Sequence, residues 1–211
     1  MIQRLYQMKM AFITQKAITA WKSMRPWIII LALFLVLRYT GAISGISYMT
    51  GRILMKSGAM NVSMEKPPVD KSFNYNFKIK DLNGAAVDFK KFKGKTIFLN
   101  IWATWCGPCR MEMPSIQKLY DQVDKDQIVF VMLSVDEDDS LNKVVNFVKE
   151  KEYTFPVYLP RGYLPDQLQV PIIPTTFVIS PEGKIVAQEQ GAANYDTPEF
   201  KTFLETLVVK N

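Results

Sequence analysis

Thr96-Ile-Phe-Leu-Asn-Ile-Trp-Ala103 runs directly into Thr104-Trp105-Cys106-Gly107-Pro108-Cys109. The first part is β-branched and aromatic-rich and follows Lys93-Gly94-Lys95, the pattern of a short central strand. Cys106 then opens the helix that follows. A thiol at that position faces unpaired backbone N–H groups and the positive end of the helix dipole, both of which favour the thiolate. Cys109 falls one turn into the helix, close enough to form a disulfide with Cys106. The pair can therefore cycle between dithiol and disulfide. These are the only two cysteines, and the chain has no histidine, so a zinc site lacks ligands. A purely structural disulfide closing so short a loop would constrain little of the unfolded chain.

Charge is distributed unevenly. The net charge is +6, yet no Asp or Glu precedes Glu65, while eight Lys or Arg fall within residues 1–56. From Ser72 onward 16 basic residues face 18 acidic ones, a balance of about −2. The basic character thus belongs to a leader, which points to a membrane rather than to nucleic acid. The leader reads as a basic N-terminal segment, 1–26, and a signal anchor or transmembrane helix, 27–49, built around the apolar run Trp27–Leu37. Eleven helical residues reach only ~17 Å against a hydrocarbon core of ~30 Å, so a span must continue past Arg38 through Gly41–Met49. Two readings stand: an uncleaved anchor, which the long basic n-region favours, or a signal peptide cut near Thr40-Gly41-Ala42. The excess of positive charge before the apolar core places the N-terminus in the cytoplasm and the following domain outside. Residues 50–71 lack periodicity and read as a linker.

From 72 to 211 the pattern is that of an α/β domain with a mixed sheet. Phe73, Tyr75, Phe77 and Ile79 alternate along a strand, Asp81-Leu-Asn-Gly84 turns it, and Ala85–Phe89 returns as a hairpin partner. Pro114 is expected to kink the active-site helix. Gln127–Val135 is a second apolar strand. The acidic run Asp136–Asp139 resembles a metal cluster, but its place before a helical pattern favours capping. Thr154–Leu159, Thr175–Ile179 and Lys184–Glu189 are further strands. A brief helix is expected at Leu164–Leu168 and a terminal one after Asp196.

Trp-Cys-Gly-Pro-Cys after a strand, with Ile173-Pro174-Thr175 far downstream, resembles the thioredoxin superfamily. Asn-Ile-Trp-Ala-Thr-Trp before the cysteines and Met111-Glu-Met-Pro114 after them resemble its TlpA/ResA-like membrane-anchored thiol–disulfide oxidoreductases. So do the N-terminal hairpin, the αβ insertion around 136–160 and Pro174-Thr-Thr-Phe177. The likeness covers about residues 72–209 and implies a thioredoxin-like fold with a mixed central sheet. It implies that Cys106 is the exposed nucleophile and Cys109 the buried resolving thiol. Pro174, preceded by Ile173, would be the cis-proline facing the pair; an ordinary loop proline is the alternative. Glu112 occupies the place where this branch carries a glutamate, a general acid–base if it lies near the thiols and otherwise a solvated helix carboxylate. Where thioredoxins bury an aspartate six residues before the first cysteine, this chain has Asn100. Trp105, Gly107, Pro108, Ile173 and Pro174 would form the substrate-binding surface.

The resemblance further implies an extracytoplasmic reductase acting on disulfides of exported proteins, apocytochrome c among them, and re-reduced by a membrane electron-donor thiol protein. Gly107-Pro108 resembles reducing thioredoxins, and the histidine found between the cysteines of the strongest oxidants is missing. No metal or organic cofactor is implied. Two other functions compete: a disulfide donor and a non-enzymatic thioredoxin-fold binding domain. A peroxiredoxin-type peroxidase needs Thr or Ser three residues before its cysteine, where this chain has Ala103 and Cys106.

Overall fold

The computed structural model describes residues 72–137 and 140–208, with 21, 24–36, 38–39, 58 and 60–62. The backbone divides into two units, Met1–Thr50 and Gly51–Asn211.

In the first unit residues 24–36 are helical, with every side chain exposed, Trp27 at 73%. Among the described residues no helix is long and apolar enough to cross a membrane. The remainder of the expected span, the cleavage motif at Thr40-Gly41-Ala42, most of segment 1–26 and most of linker 50–71 lie outside the described residues.

The second unit is built on one seven-stranded mixed sheet. Its strands are β1 (Lys78–Asp81), β2 (Ala86–Asp88), β3 (Thr96–Trp102), β4 (Ile128–Ser134), β5 (Val157–Pro160), β6 (Thr175–Ile179) and β7 (Ile185–Gln190). They lie in the order β2-β1-β5-β4-β3-β6-β7. β3 runs parallel to β4 and antiparallel to β6, and β4 is parallel to β5. The helices are α1 (Gly107–Gln122), α2 (Leu141–Glu150) and α3 (Pro198–Thr206).

All seven residues of β3 are buried, and their two-residue period sorts them onto opposite faces. Phe98 and Trp102 join Met113 and Ile116 of α1, Val144 and Val148 of α2, and Phe200 and Leu204 of α3 in one core. Ile97, Leu99 and Ile101 face a second core with Phe73, Tyr75, Phe77, Phe89 and Leu168. The two parallel connections, β3-α1-β4 and β4-α2-β5, therefore lay their helices on one face. The other face is closed by aromatic side chains from the chain before β3. Asn100 has the parity of Phe98 and Trp102, so it points toward α1.

The alternation expected over 73–80 holds in burial, with Phe73, Tyr75, Phe77 and Ile79 all inside. The strand ladder itself begins only at Lys78, and 73–77 is irregular chain whose alternate aromatics are laid on the core. The β1–β2 turn closes as read: the Gly84 N–H donates to the Asp81 carbonyl at 3.0 Å, with Gly84 at φ 80°. The same aspartate's Oδ1 accepts from the Asn83 and Ala85 N–H groups. α1 runs on through Pro114 without a break. The brief helix at 164–168 narrows to a 3-10 turn, Asp166–Leu168. α3 starts at a Thr197 cap whose hydroxyl oxygen accepts from the Phe200 N–H. Residues 60–62, expected in the linker, run beside Asn194: the Asn194 N–H donates to the Met60 carbonyl at 2.7 Å.

The acidic run behaves differently from the expectation. No acidic side chain sits in the first turn of α2, and Ser140 at its N-cap makes no side-chain cap bond. Asp138 and Asp139 lie outside the described residues, and Asp136 is buried at the end of β4 with a separate set of partners.

Candidate active site

β3 ends at Trp102 on the carboxyl edge of the parallel strands, where α/β sheets present their sites. Ala103–Trp105 turns the chain, and Cys106 becomes the N-cap of α1 with φ −80° and ψ 108°. Pro108 stands in the first turn, where a missing N–H costs nothing. Cys106 and Cys109 are joined in a disulfide, with their Cα atoms 5.3 Å apart. The Cys109 N–H donates to Cys106 Sγ at 3.2 Å, so an orphan donor of the helix start is aimed at that sulfur. Cys109 is wholly buried and Cys106 only 5% exposed, but Trp105 (64%), Gly107 and Pro108 around Cys106 are open to solvent.

β6 is antiparallel to β3, so its beginning lies beside the end of β3, with Thr175 opposite Ile101. That register carries the preceding loop to the cysteines. The Ile173–Pro174 peptide bond is cis. The Ile173 carbonyl oxygen lies 3.8 Å from Cys106 Sγ, with Ile172 half exposed and Pro174 buried beside it. The predicted residues Trp105, Cys106, Gly107, Pro108, Ile173 and Pro174 are thus brought to one edge of the sheet.

Glu112, one turn beyond Cys109, is completely buried, which rules out the solvated alternative. Its Oε1 accepts from Asn100 Nδ2 at 2.8 Å and its Oε2 from the Ala193 N–H at 3.1 Å. Burial pushes its carboxyl up to about 8 from an ordinary 4.5. The Ala193 and Asn100 hydrogen bonds pull it down, and the charge of Glu189 adds to the rise. Asn100 also donates to Thr176 Oγ1 at 2.8 Å, the residue directly opposite it in the β3–β6 ladder. Tyr195 donates its hydroxyl to the same Thr176 oxygen at 2.7 Å. Asn100 therefore stands where thioredoxins carry a carboxylate, and it holds one instead.

A second polar cluster secures the loop before the cysteines. Asp136, next to the end of β4, accepts from the Thr104 N–H at 2.8 Å and the Thr104 hydroxyl at 2.6 Å. It also accepts from the Ser134 hydroxyl at 2.7 Å, and the Lys143 ammonium lies 3.9 Å away. Thr104 is two residues from Cys106, so this carboxylate fixes the approach to the sulfur. Asp136→Ala strands three buried donors, and an expected loss of about 3 kcal/mol follows from unsatisfied groups of this kind. Asp136→Asn, which keeps one acceptor oxygen, loses less. Urea unfolding checks this, and a midpoint equal to the wild type for Asp136→Ala would refute the clamp.

The sequence reading missed Thr104, Asp136, Thr176, Ala193 and Tyr195 as site residues. For Asp136 a signal existed: a carboxylate just past an apolar parallel strand sits at the sheet edge where sites are built. The Ala193 N–H had none.

Residues 68–204 match the Redoxin family. Thiol-disulfide oxidoreductase ResA of Bacillus thuringiensis subsp. konkukian is 36% identical over 137 residues, 64% of this chain and 73% of that protein. ResA of Bacillus subtilis is 39% identical over 112 residues, 53% of this chain and 62% of its own length. Among solved structures, StoA from Bacillus subtilis has TM-score 0.50 and 26% identity over 65% of this chain and 98% of that one. With a disulfide-forming Cys-Gly-Pro-Cys at the start of α1 on a thioredoxin-like α/β sheet, the chain belongs to the Redoxin family and is a thiol–disulfide oxidoreductase.

Proposed function

We propose that this chain is a membrane-anchored reductase working outside the cytoplasm on disulfides of exported proteins, apocytochrome c among them. What carries the reading is the contrast between the two sulfurs. Cys106, rimmed by exposed Trp105, Gly107 and Pro108, can be reached by a partner, whereas Cys109 is reached only through Cys106. In the dithiol state the Cys106 thiolate attacks the substrate disulfide. A Cys106–substrate S–S bond forms, and the first substrate sulfur leaves as a thiolate. Cys109 then attacks Cys106 Sγ, the second substrate thiolate leaves, and the protein disulfide closes. Two electrons pass to the substrate. The proton that Cys109 sheds passes to the leaving substrate thiolate, and Glu112, buried and protonated at neutral pH one turn beyond Cys109, is the proton store that re-protonates Cys109 when the disulfide is reopened. A membrane thiol protein returns the enzyme to the dithiol.

The direction rests on Gly107-Pro108 and the lack of histidine between the cysteines. The Cys106 thiolate is then favoured by the Cys109 N–H and the helix dipole, with no added cation in the motif. The anchor rests on the acid-free leader and its apolar run 27–37. Equilibrating the full chain in thiol redox buffers tests the direction: a reductase is expected near or below about −270 mV, and a value near about −120 mV would make it a disulfide donor.

A further inference from the structure

Met60-Asn61-Val62 falls in the stretch that reads as a linker, yet it is bonded to the chain between β7 and α3. Gly58 turns the backbone with φ 79°, and the Asn61 N–H donates to the Gly58 carbonyl at 3.2 Å. Asn61 then pairs with Asn194 as a parallel bridge. The Asn194 N–H donates to the Met60 carbonyl at 2.7 Å, and the Val62 N–H donates to the Asn194 carbonyl at 3.3 Å. Asn194 Nδ2 adds a bond to Asn61 Oδ1 at 3.0 Å, and Val62 packs against the core that contains Met113 and Ile116 of α1.

The neighbours of Asn194 point their N–H groups the other way, as alternate residues of a bridged chain do. The Ala193 N–H donates to Glu112 Oε2 at 3.1 Å, and the Tyr195 N–H to Ser115 Oγ at 3.2 Å. The Ser115 hydroxyl in turn donates to the Glu112 carbonyl at 2.7 Å. Residues 193–195 are thus held between 60–62 on one side and α1 on the other. Of the two donors to the Glu112 carboxyl, Asn100 is fixed by the β3 ladder, whereas Ala193 belongs to no strand. Its N–H is aimed by what flanks it.

We infer that residues 60–62 are a strap that positions the Ala193 N–H on Glu112, so that this stretch of the linker tunes how firmly the proton store holds its proton. The inference rests on the reading of Glu112 as the proton store for Cys109. A backbone N–H aimed at a carboxylate favours the ionised form, and the Ala193 bond opposes the rise caused by burial. Loosening the strap weakens that bond and leaves burial less opposed. Glu189 of β7 also raises the proton affinity of Glu112. Burial keeps the Tyr195 phenol un-ionised, Cys109 stands one turn before Glu112 on α1, and Met60, Asn61 and Val62 carry no charge.

The test uses the full chain in detergent, in the disulfide form, with the glutamate carboxyl carbons labelled for NMR titration and the backbone amides for hydrogen exchange. Val62→Pro removes the N–H that donates to Asn194, while Val62→Ala keeps it and trims only the side chain. Val62 is half-buried and outside the seven-stranded sheet, so both variants keep the fold. Val62→Pro is expected to raise the Glu112 midpoint by about one pH unit and to speed exchange of the Ala193 amide about tenfold. Val62→Ala leaves both where the wild type has them. The rate at which a small neutral dithiol reopens the protein disulfide, taken as a ratio to wild type at each pH, shifts with the midpoint. A Val62→Pro midpoint equal to the wild type, or equal shifts in the two variants, overturns the strap and leaves the proton store standing. A wild-type Glu112 that titrates near the ordinary 4.5 refutes the proton store, and the tuning role of the strap with it. A midpoint that moves while the reopening ratio stays flat upholds the strap's grip on Glu112 and refutes the proton store alone.

Discussion

Cys106→Ser is expected to abolish disulfide exchange, lowering the rate by at least about three orders of magnitude, because a serine hydroxyl is neither ionised nor a soft nucleophile at neutral pH. Cys109→Ser is expected to fail differently. Cys106 remains, 5% exposed beside the Ile173 carbonyl at the rim formed by exposed Trp105, Gly107 and Pro108, and it still attacks the substrate disulfide. Without a sulfur at 109 nothing displaces the second substrate thiolate, so the mixed disulfide accumulates. Intact-mass measurement after mixing with a peptide disulfide should show one peptide bound to Cys109→Ser and none bound to Cys106→Ser. The reverse pattern would exchange the two roles. Adduct on both would mean that Cys109 is reached from solvent, against its complete burial. A double Cys→Ser chain that retained its biological effect would support a binding domain instead of an enzyme.

The redox pair itself is legible in the sequence because the chemistry is local, whereas the separate roles of the two cysteines come from the family resemblance. Two cysteines three apart, a strand before them and a proline in the first turn lie within fourteen consecutive residues. The aromatic alternation Phe73–Ile79 and the Asp81–Gly84 turn are equally local, and both were read with the right partners. What stayed hidden was set by contacts across the sheet. The sequence points Asp136 to a helix cap because its neighbours are acidic and a helix follows. Its actual donors, the Thr104 N–H and hydroxyl, come from a strand connection 32 residues earlier. Glu112 could be placed on the face of Cys109 by helical spacing, but whether it was solvated turned on distant partners. Asn100, itself bonded to Thr176 across the β3–β6 ladder, and the Ala193 N–H hold it only because the sheet sets that register and the segment after β7 folds back. The apolar run 27–37 was legible for the opposite reason, since composition alone marks it, yet composition does not say where such a segment ends.

Glu112 yields the second large effect, and its sign changes with pH. In the folded chain its carboxyl titrates near about 8, raised chiefly by burial, while the unfolded value is the ordinary 4.5. A raised carboxyl adds stability that is complete below pH 4.5 and is lost as pH rises through 8. Over that window the unfolded chain is ionised while the folded one keeps its proton. The loss approaches about 5 kcal/mol at 1.4 kcal/mol per pH unit. Glu112→Gln removes the titration but not the shape. Its amide has one acceptor oxygen where the carboxyl has two, so either Asn100 Nδ2 or the Ala193 N–H loses its partner, at about 1–3 kcal/mol. The variant is therefore expected to be less stable than the wild type at pH 4.5 and more stable at pH 9, by roughly 2–4 kcal/mol there. Denaturant unfolding of both proteins in the disulfide form across pH 4–9 checks this, and titrating groups that do not interact with Glu112 cancel in the difference. Stability curves that stay parallel would mean that Glu112 ionises normally inside the fold, and its use as a proton store would fall with that result. Curves that cross would show that the buried carboxyl holds a proton at the pH where the cysteines exchange, at a cost in stability that the neutral amide avoids.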